Sequence, residues 1–125
     1  MRTAATALLA ALLLAASGCA HAALVSRSGM EVPAGKFAEA NLLLRAGDTI
    51  TWDWSASQVV HFNVHTHQAG GATELVAQDA ASNQGSFTAP QAGGYSLLWE
   101  NGGGAAVTLE YSVQGAGKVE SVYPA

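Results

Sequence analysis

Apolar and polar residues alternate along most of this chain, and this period of two constrains the fold more than any other feature. Val60, Phe62 and Val64, for example, fall on one side of an extended strand, because successive side chains point to opposite faces of a sheet. Turn residues separate the alternating segments, and no apolar period of 3.6 is long enough for an amphipathic helix. The sequence therefore predicts an all-β domain over residues 33–125, an antiparallel β-sandwich of about seven or eight strands.

The predicted core consists of the apolar members of these strands. The three tryptophans share parity with aliphatic neighbours, which favours burial over an exposed platform for stacking on sugars. The chain of 125 residues has room for one such core and one domain. The inward residues are predicted to be Ile50, Trp52, Trp54, Val60, Phe62, Val64, Tyr95, Leu97, Trp99, Val107, Leu109, Tyr111 and Val113, and Leu42 and Leu44 are predicted to end the first strand.

The first residues indicate an export signal, because Arg2 precedes an apolar stretch (residues 4–16) that is too short to span a membrane. AASGCA resembles a bacterial lipobox with cleavage before Cys19, whose thiol would then carry lipid. AHA, residues 20–22, instead fits ordinary signal peptidase. We expect a signal peptide over residues 1–18, alternatively 1–22, and a tether over residues 19–32. The lipobox predicts a periplasm-facing protein anchored by lipid in the outer membrane, and the other site a soluble periplasmic one.

Composition excludes several classes of function. Cys19 is the only cysteine, so no disulfide can form within the chain and the domain has no thiol nucleophile. The formal charge is −4 and no basic cluster occurs, so nucleic acid is not an expected partner. A nucleophile elbow and a Gly-rich phosphate loop are also absent from the sequence, and we therefore do not expect an enzyme.

Three of the four histidines lie in one segment, VVHFNVHTH (residues 59–67). Since the apolar members of this segment face the core, His61, Asn63, His65 and His67 take the outer face. His65 and His67 are about 6.6 Å apart along that face, which allows two imidazoles to share one ion. An ideal strand places His61 about 13 Å from His65, beyond the same ion, and Asn63 is expected to support the ligands.

A carboxylate ligand is predicted on the following strand. Gly70 and Gly71 favour a two-residue hairpin turn, because both positions require a positive φ. That register places Glu74 opposite His67, whereas a slip of one residue would move it to the core side. Two imidazoles and a carboxylate with an open position suit Zn(II) or Cu(II).

Two functions follow from this segment. The first is an exported protein that binds copper or zinc for buffering or delivery, with His65, His67, His61 and Glu74 as candidate ligands. An exposed site of this kind also permits a homodimer in which two molecules share one ion. The alternative is a non-catalytic envelope module whose histidine face contacts a protein or a glycan.

Four segments in order resemble the Golgi-dynamics (GOLD) β-sandwich: RAGDTITWDW, VVHFNV, GSFTAPQAGGYSLLWEN and the valine-rich strand after them. The common pattern is a Gly-Asp turn before a strand, a Val-x-Phe strand, an apolar residue before Pro, and a Gly-x-Tyr strand ending in an aromatic residue and Asn. The resemblance covers residues 32–113. The chain is also similar to small exported bacterial proteins with a Phe-Asn-x-His-x-His strand. The resemblance implies a jelly-roll-like sandwich whose work is binding or assembly rather than catalysis.

Overall fold

The computed structural model describes residues 23–68 and 71–125, and every regular element in these ranges is a β-strand. The strands are β1 (Ala23–Val32), β2 (Phe37–Leu44), β3 (Thr49–Gln68), β4 (Gly71–Thr88), β5 (Gly93–Glu100), β6 (Val107–Gly115) and β7 (Lys118–Tyr123). All strand pairs are antiparallel, which confirms the predicted fold class. No helix in the described part of the chain is long and apolar enough to cross a membrane. The predicted signal peptide, its two cleavage sites and Cys19 lie outside the described residues.

The seven strands form one sheet that folds over on itself around β3. The first half of β3 pairs with β6 and the second half with β5, while β4 follows the opposite edge of β3 through both halves. β1 extends the sheet beyond β6, and β2 and β7 extend it beyond β5. Arg27 of β1 donates from Nη1 to the carbonyl oxygen of Pro124, 3.1 Å away, just after β7. The sheet is therefore nearly closed, with its two halves enclosing one core.

An irregularity in the β3–β4 pairing lies where β3 passes from one half of the sheet to the other. Ser55 pairs with Ser82 and Val60 with Ala80, so residues 56–59 of β3 lie opposite a single residue of β4. Extra residues on one strand bend it and increase its twist. This bulge separates the half of β3 that pairs with β6 from the half that carries the histidines.

Phe62 is the centre of the core. It is fully buried, and its ring centroid lies 5.4 Å from those of Trp52 and Trp54 and 5.5 Å from that of Trp99. Trp99 in turn stacks on Tyr111 with centroids 4.2 Å apart. All residues predicted to point inward are buried, which confirms the parity assignment. The tryptophans are thus core residues and not a platform for sugars.

Gly85 of β4 allows the indole of Trp52 to lie against the neighbouring strand. The two residues are paired, and a Cβ at position 85 would lie 2.6 Å from Cζ2 of Trp52. The indole Nε1 donates to Oδ1 of Asn83 at 2.8 Å, which holds the ring in this position. A side chain at position 85 would therefore require the indole of Trp52 or the backbone of β4 to shift.

The predicted tether, residues 19–32, is wrong for residues 23–32, which are the part of it that the structure describes. Residues 23–32 form β1, which pairs with β6 and places Met30 and Val32 in the core. The strand was missed because its register shifts between Arg27 and Met30, where Gly29 has a φ of 63°. A bulge inserts an extra residue, so apolar residues before and after it lose their common parity. The domain boundary predicted at residue 33 is therefore too late.

Candidate functional site

Polar side chains lie next to one another across β3, β5 and β2 on the outer face of the sheet. His65 of β3 pairs with Ser96 of β5, and Ser96 pairs with Asn41 of β2. Glu39 lies two residues before Asn41 and therefore on the same face. β2 and β3 are separated by one strand, about 9.5 Å, which long side chains can bridge.

His65 is at the centre of this face, and only 8% of it is exposed although it points away from the core. Its Nδ1–H donates to Oδ1 of Asn63 at 2.8 Å, and its Nε2 lies 3.4 Å from Oε2 of Glu39. Burial lowers the pKa of His65 from its ordinary value of 6.5; the nearby His67 lowers it further, and Glu39 opposes this. Burial therefore favours the neutral form of His65, in which Nε2 is an acceptor.

His67 is exposed and lies beside His65, with ring centroids 4.7 Å apart and planes inclined at 72°. Its Nε2 is 2.9 Å from Oγ of Ser96, and the Ser96 hydroxyl donates to Oδ1 of Asn41. Because a hydroxyl has one hydrogen, Ser96 must accept from Nε2–H of His67. The other ring nitrogen, Nδ1, is then an acceptor as well.

Glu39, His65 and His67 form the one group of potential metal ligands found among the described residues. Each offers a donor atom, and the three atoms lie within 4.8 Å of one another. Both histidines are candidate ligands from the sequence, whereas Glu39 is not among the predicted ligands. FAEANLLL places Glu39 on the outer face of β2, but alternation does not reveal that β5 alone separates β2 from β3.

His61 belongs to a separate cluster between β3 and β4. Its Nδ1–H donates to Oδ1 of Asp79 at 2.6 Å, and its Nε2–H donates to Oε2 of Glu74 at 3.2 Å. These hydrogen bonds, the one to Asp79 first, raise the pKa of His61 above 6.5. Glu100 of β5 is paired with His61 on its other side. When protonated, His61 uses both ring nitrogens as donors and has no lone pair for a metal.

The predicted hairpin register is wrong by two residues. Glu74 lies opposite His65 and not opposite His67, because Gln68 pairs with Gly71 and not with Thr73. Val64 pairs with Val76 but His65 with Glu74, so the register shifts by one residue between these pairs and Leu75 is left without a partner on β3. A slip of two residues keeps Glu74 on the outer face, since parity is unchanged.

A groove of about 440 Å³, hereafter the acidic groove, lies over this face beside His65. Its lining combines the apolar side chains of Phe37, Leu98 and Ala72 with carboxylates from three strands. The carboxylates are those of Glu39 in β2, Glu74 in β4 and Glu100 in β5. Lysine and arginine are absent from its described lining, so the groove attracts cationic groups.

No protein-family model and no curated protein sequence matches the chain. A similar fold occurs in PliG of Aeromonas hydrophila, a periplasmic inhibitor of g-type lysozyme: identity is 21%, the TM-score is 0.53, and the match covers 72% of this chain and 85% of PliG. The Yersinia pseudotuberculosis-derived mitogen YPM has 9% identity and a TM-score of 0.51, with 81% of this chain and 94% of YPM covered. These likenesses concern the fold, and the Golgi-dynamics resemblance stays a prediction.

Proposed function

We propose that this chain is a non-catalytic binding protein of the bacterial cell envelope and that the acidic groove takes a segment of a partner protein. The lining of the groove is the main support. Phe37 and Leu98 give it apolar surface, and the three carboxylates around them favour a segment that carries Lys or Arg beside an apolar side chain.

The charge of the whole domain supports a basic partner. Residues 23–125 contain four basic and nine acidic side chains, a formal charge of −5. A field of one sign accelerates the encounter with a partner of opposite sign, and it does so most at low ionic strength. The basic residues are Arg27, Lys36, Arg45 and Lys118.

Two further observations support an exported protein-binding role. The first residues have the pattern of an export signal, and PliG, whose fold is similar, is a periplasmic inhibitor of an enzyme. A protein is favoured over a glycan as the partner because all three tryptophans are buried, and exposed indoles are the usual surface for stacking on sugars.

Site-specific photo-cross-linking in intact cells tests this function. Phe37 is 38% exposed and lines the groove, so p-benzoylphenylalanine at this position preserves an aromatic side chain within reach of a bound segment. Val59 is 63% exposed and outside the groove, which makes it the control position. We expect a discrete cross-linked protein from position 37 and none from position 59. Equal products from both positions would contradict a partner at the groove.

A purified g-type lysozyme is a defined probe for the same surface, because PliG inhibits that class of enzyme. Inhibition that is lost when Glu74 and Glu100 are both replaced by lysine would identify a lysozyme as the partner. Inhibition that survives these substitutions would contradict the groove as the binding surface.

A further inference from the structure

Nε2 of His65 and Oε2 of Glu39 are 3.4 Å apart. Nδ1 of His65 carries the ring hydrogen, because it faces Oδ1 of Asn63, which can only accept. The lone pair of Nε2 is therefore directed at a carboxylate oxygen. An imidazole nitrogen and a carboxylate oxygen this close together can bind one metal ion between them.

The third donor, on His67, is held in the same manner. Its Nε2–H donates to Oγ of Ser96, and the hydroxyl of Ser96 donates to Oδ1 of Asn41. The lone pair that remains for a metal is therefore on Nδ1 of His67. Ligating histidines in metal sites characteristically donate their other ring N–H to an oxygen acceptor, which sets the tautomer and the orientation of the ring. Both histidines show this arrangement, one through an amide oxygen and one through a hydroxyl.

We propose that Glu39, His65 and His67 bind one divalent transition-metal ion, Zn(II) or Cu(II), with Asn63 and Ser96 as positioning residues. Metal–donor bonds of about 2.0–2.1 Å place the donors of a tetrahedral site about 3.4 Å apart. His65 and Glu39 already meet that separation, and the widest donor pair, at up to 4.8 Å, must close by about 1.4 Å. The exposed ring of His67 can make this movement by rotation of its side chain.

The choice of metal follows from the donor set. Two imidazole nitrogens and one carboxylate oxygen, without a thiolate, suit Zn(II) and Cu(II) and leave one coordination position for water or a partner side chain. His61 and Glu74 are excluded because they bind each other. The metal site shares Glu39 and His65 with the acidic groove but does not depend on a protein partner.

Isothermal titration calorimetry of the chelator-treated protein with ZnCl₂ and with CuCl₂ tests the site. We expect one ion per chain and a loss of at least tenfold in affinity for Glu39→Gln and for His67→Ala, because each removes one donor. Asn63→Ala should weaken binding about 10–100-fold by releasing the ring of His65. His61→Ala is the matched control, because it removes a histidine of β3 outside the site, and it should bind as the unsubstituted protein does.

The Cu(II) complex gives a second readout that a merely unstable variant would not imitate. Electron paramagnetic resonance should show hyperfine coupling to two imidazole nitrogens, falling to one in His67→Ala. Unchanged affinity in the double variant His65→Ala, His67→Ala, or a spectrum without imidazole coupling, would overturn the proposal. Such a result would leave photo-cross-linking at position 37 unaffected, so failure of the metal site is distinguishable from failure of the groove.

Discussion

Replacement of Phe62 by alanine should strongly destabilise the fold. Phe→Ala substitutions in cores cost about 3–5 kcal/mol through lost transfer energy and the cavity left behind. The upper half of that range is expected here, because Phe62 is fully buried and contacts three tryptophan rings at 5.4–5.5 Å. Small domains have a total stability of about 5–15 kcal/mol, so much of the protein would unfold.

Urea denaturation followed by tryptophan fluorescence and far-UV circular dichroism measures this effect. Phe62→Leu retains part of the buried side chain and should lose about 1–2 kcal/mol, which keeps the comparison measurable if the alanine variant does not fold. Val59→Ala, at a position that is 63% exposed, should change stability by less than about 0.5 kcal/mol. A loss below about 1 kcal/mol for Phe62→Ala, with an unchanged slope of free energy against urea, would refute the aromatic core described above.

Three other changes have defined outcomes. Gly85→Ala should lower the free energy of unfolding by about 1–3 kcal/mol, because the added Cβ would collide with Trp52. Gly94→Ala is the control, since no atom lies within 4 Å of its added Cβ. Equal urea midpoints for the two variants would contradict a steric cost at position 85. The raised pKa of His61 gives the folded protein stability that is complete below pH 6.5 and is lost as pH rises through the folded pKa. His61→Gln should therefore flatten the free energy of unfolding against pH above 6.5, and an unchanged slope would exclude this contribution. Cys19→Ser should move the protein from the membrane fraction to the soluble periplasm, and a soluble unsubstituted protein that begins at Ala23 would contradict lipidation.

The core was predictable because alternation is a local property of the chain. Each residue from Ile50 to Trp54 and from Val60 to Val64 takes the face that parity assigns to it. β1 was not predictable in this way, because the bulge before Met30 breaks its parity. The bulge forms because β1 pairs with β6, which is distant in the sequence, and the pattern of residues 23–32 alone does not indicate it.

The candidate site was predictable on β3 only. His65 and His67 are adjacent on one strand, so their proximity follows from strand geometry. The position of Glu39 depends on the order of strands in the sheet, and that of Glu74 on the hairpin register. Both properties are set by the fit of distant side chains in the core and not by the residues near the site.

The affinity for the protein that cross-links to position 37 is the most direct test of the binding function. Two double variants make the same change in net charge: Glu74→Lys with Glu100→Lys reverses charges in the acidic groove, and Glu31→Lys with Glu120→Lys reverses exposed charges outside it. Surface plasmon resonance at physiological salt should show at least a tenfold loss, about 1.4 kcal/mol, for the groove pair and less than a twofold change for the control pair. Equal losses for the two pairs would show that net charge alone governs binding and would contradict the groove as the site.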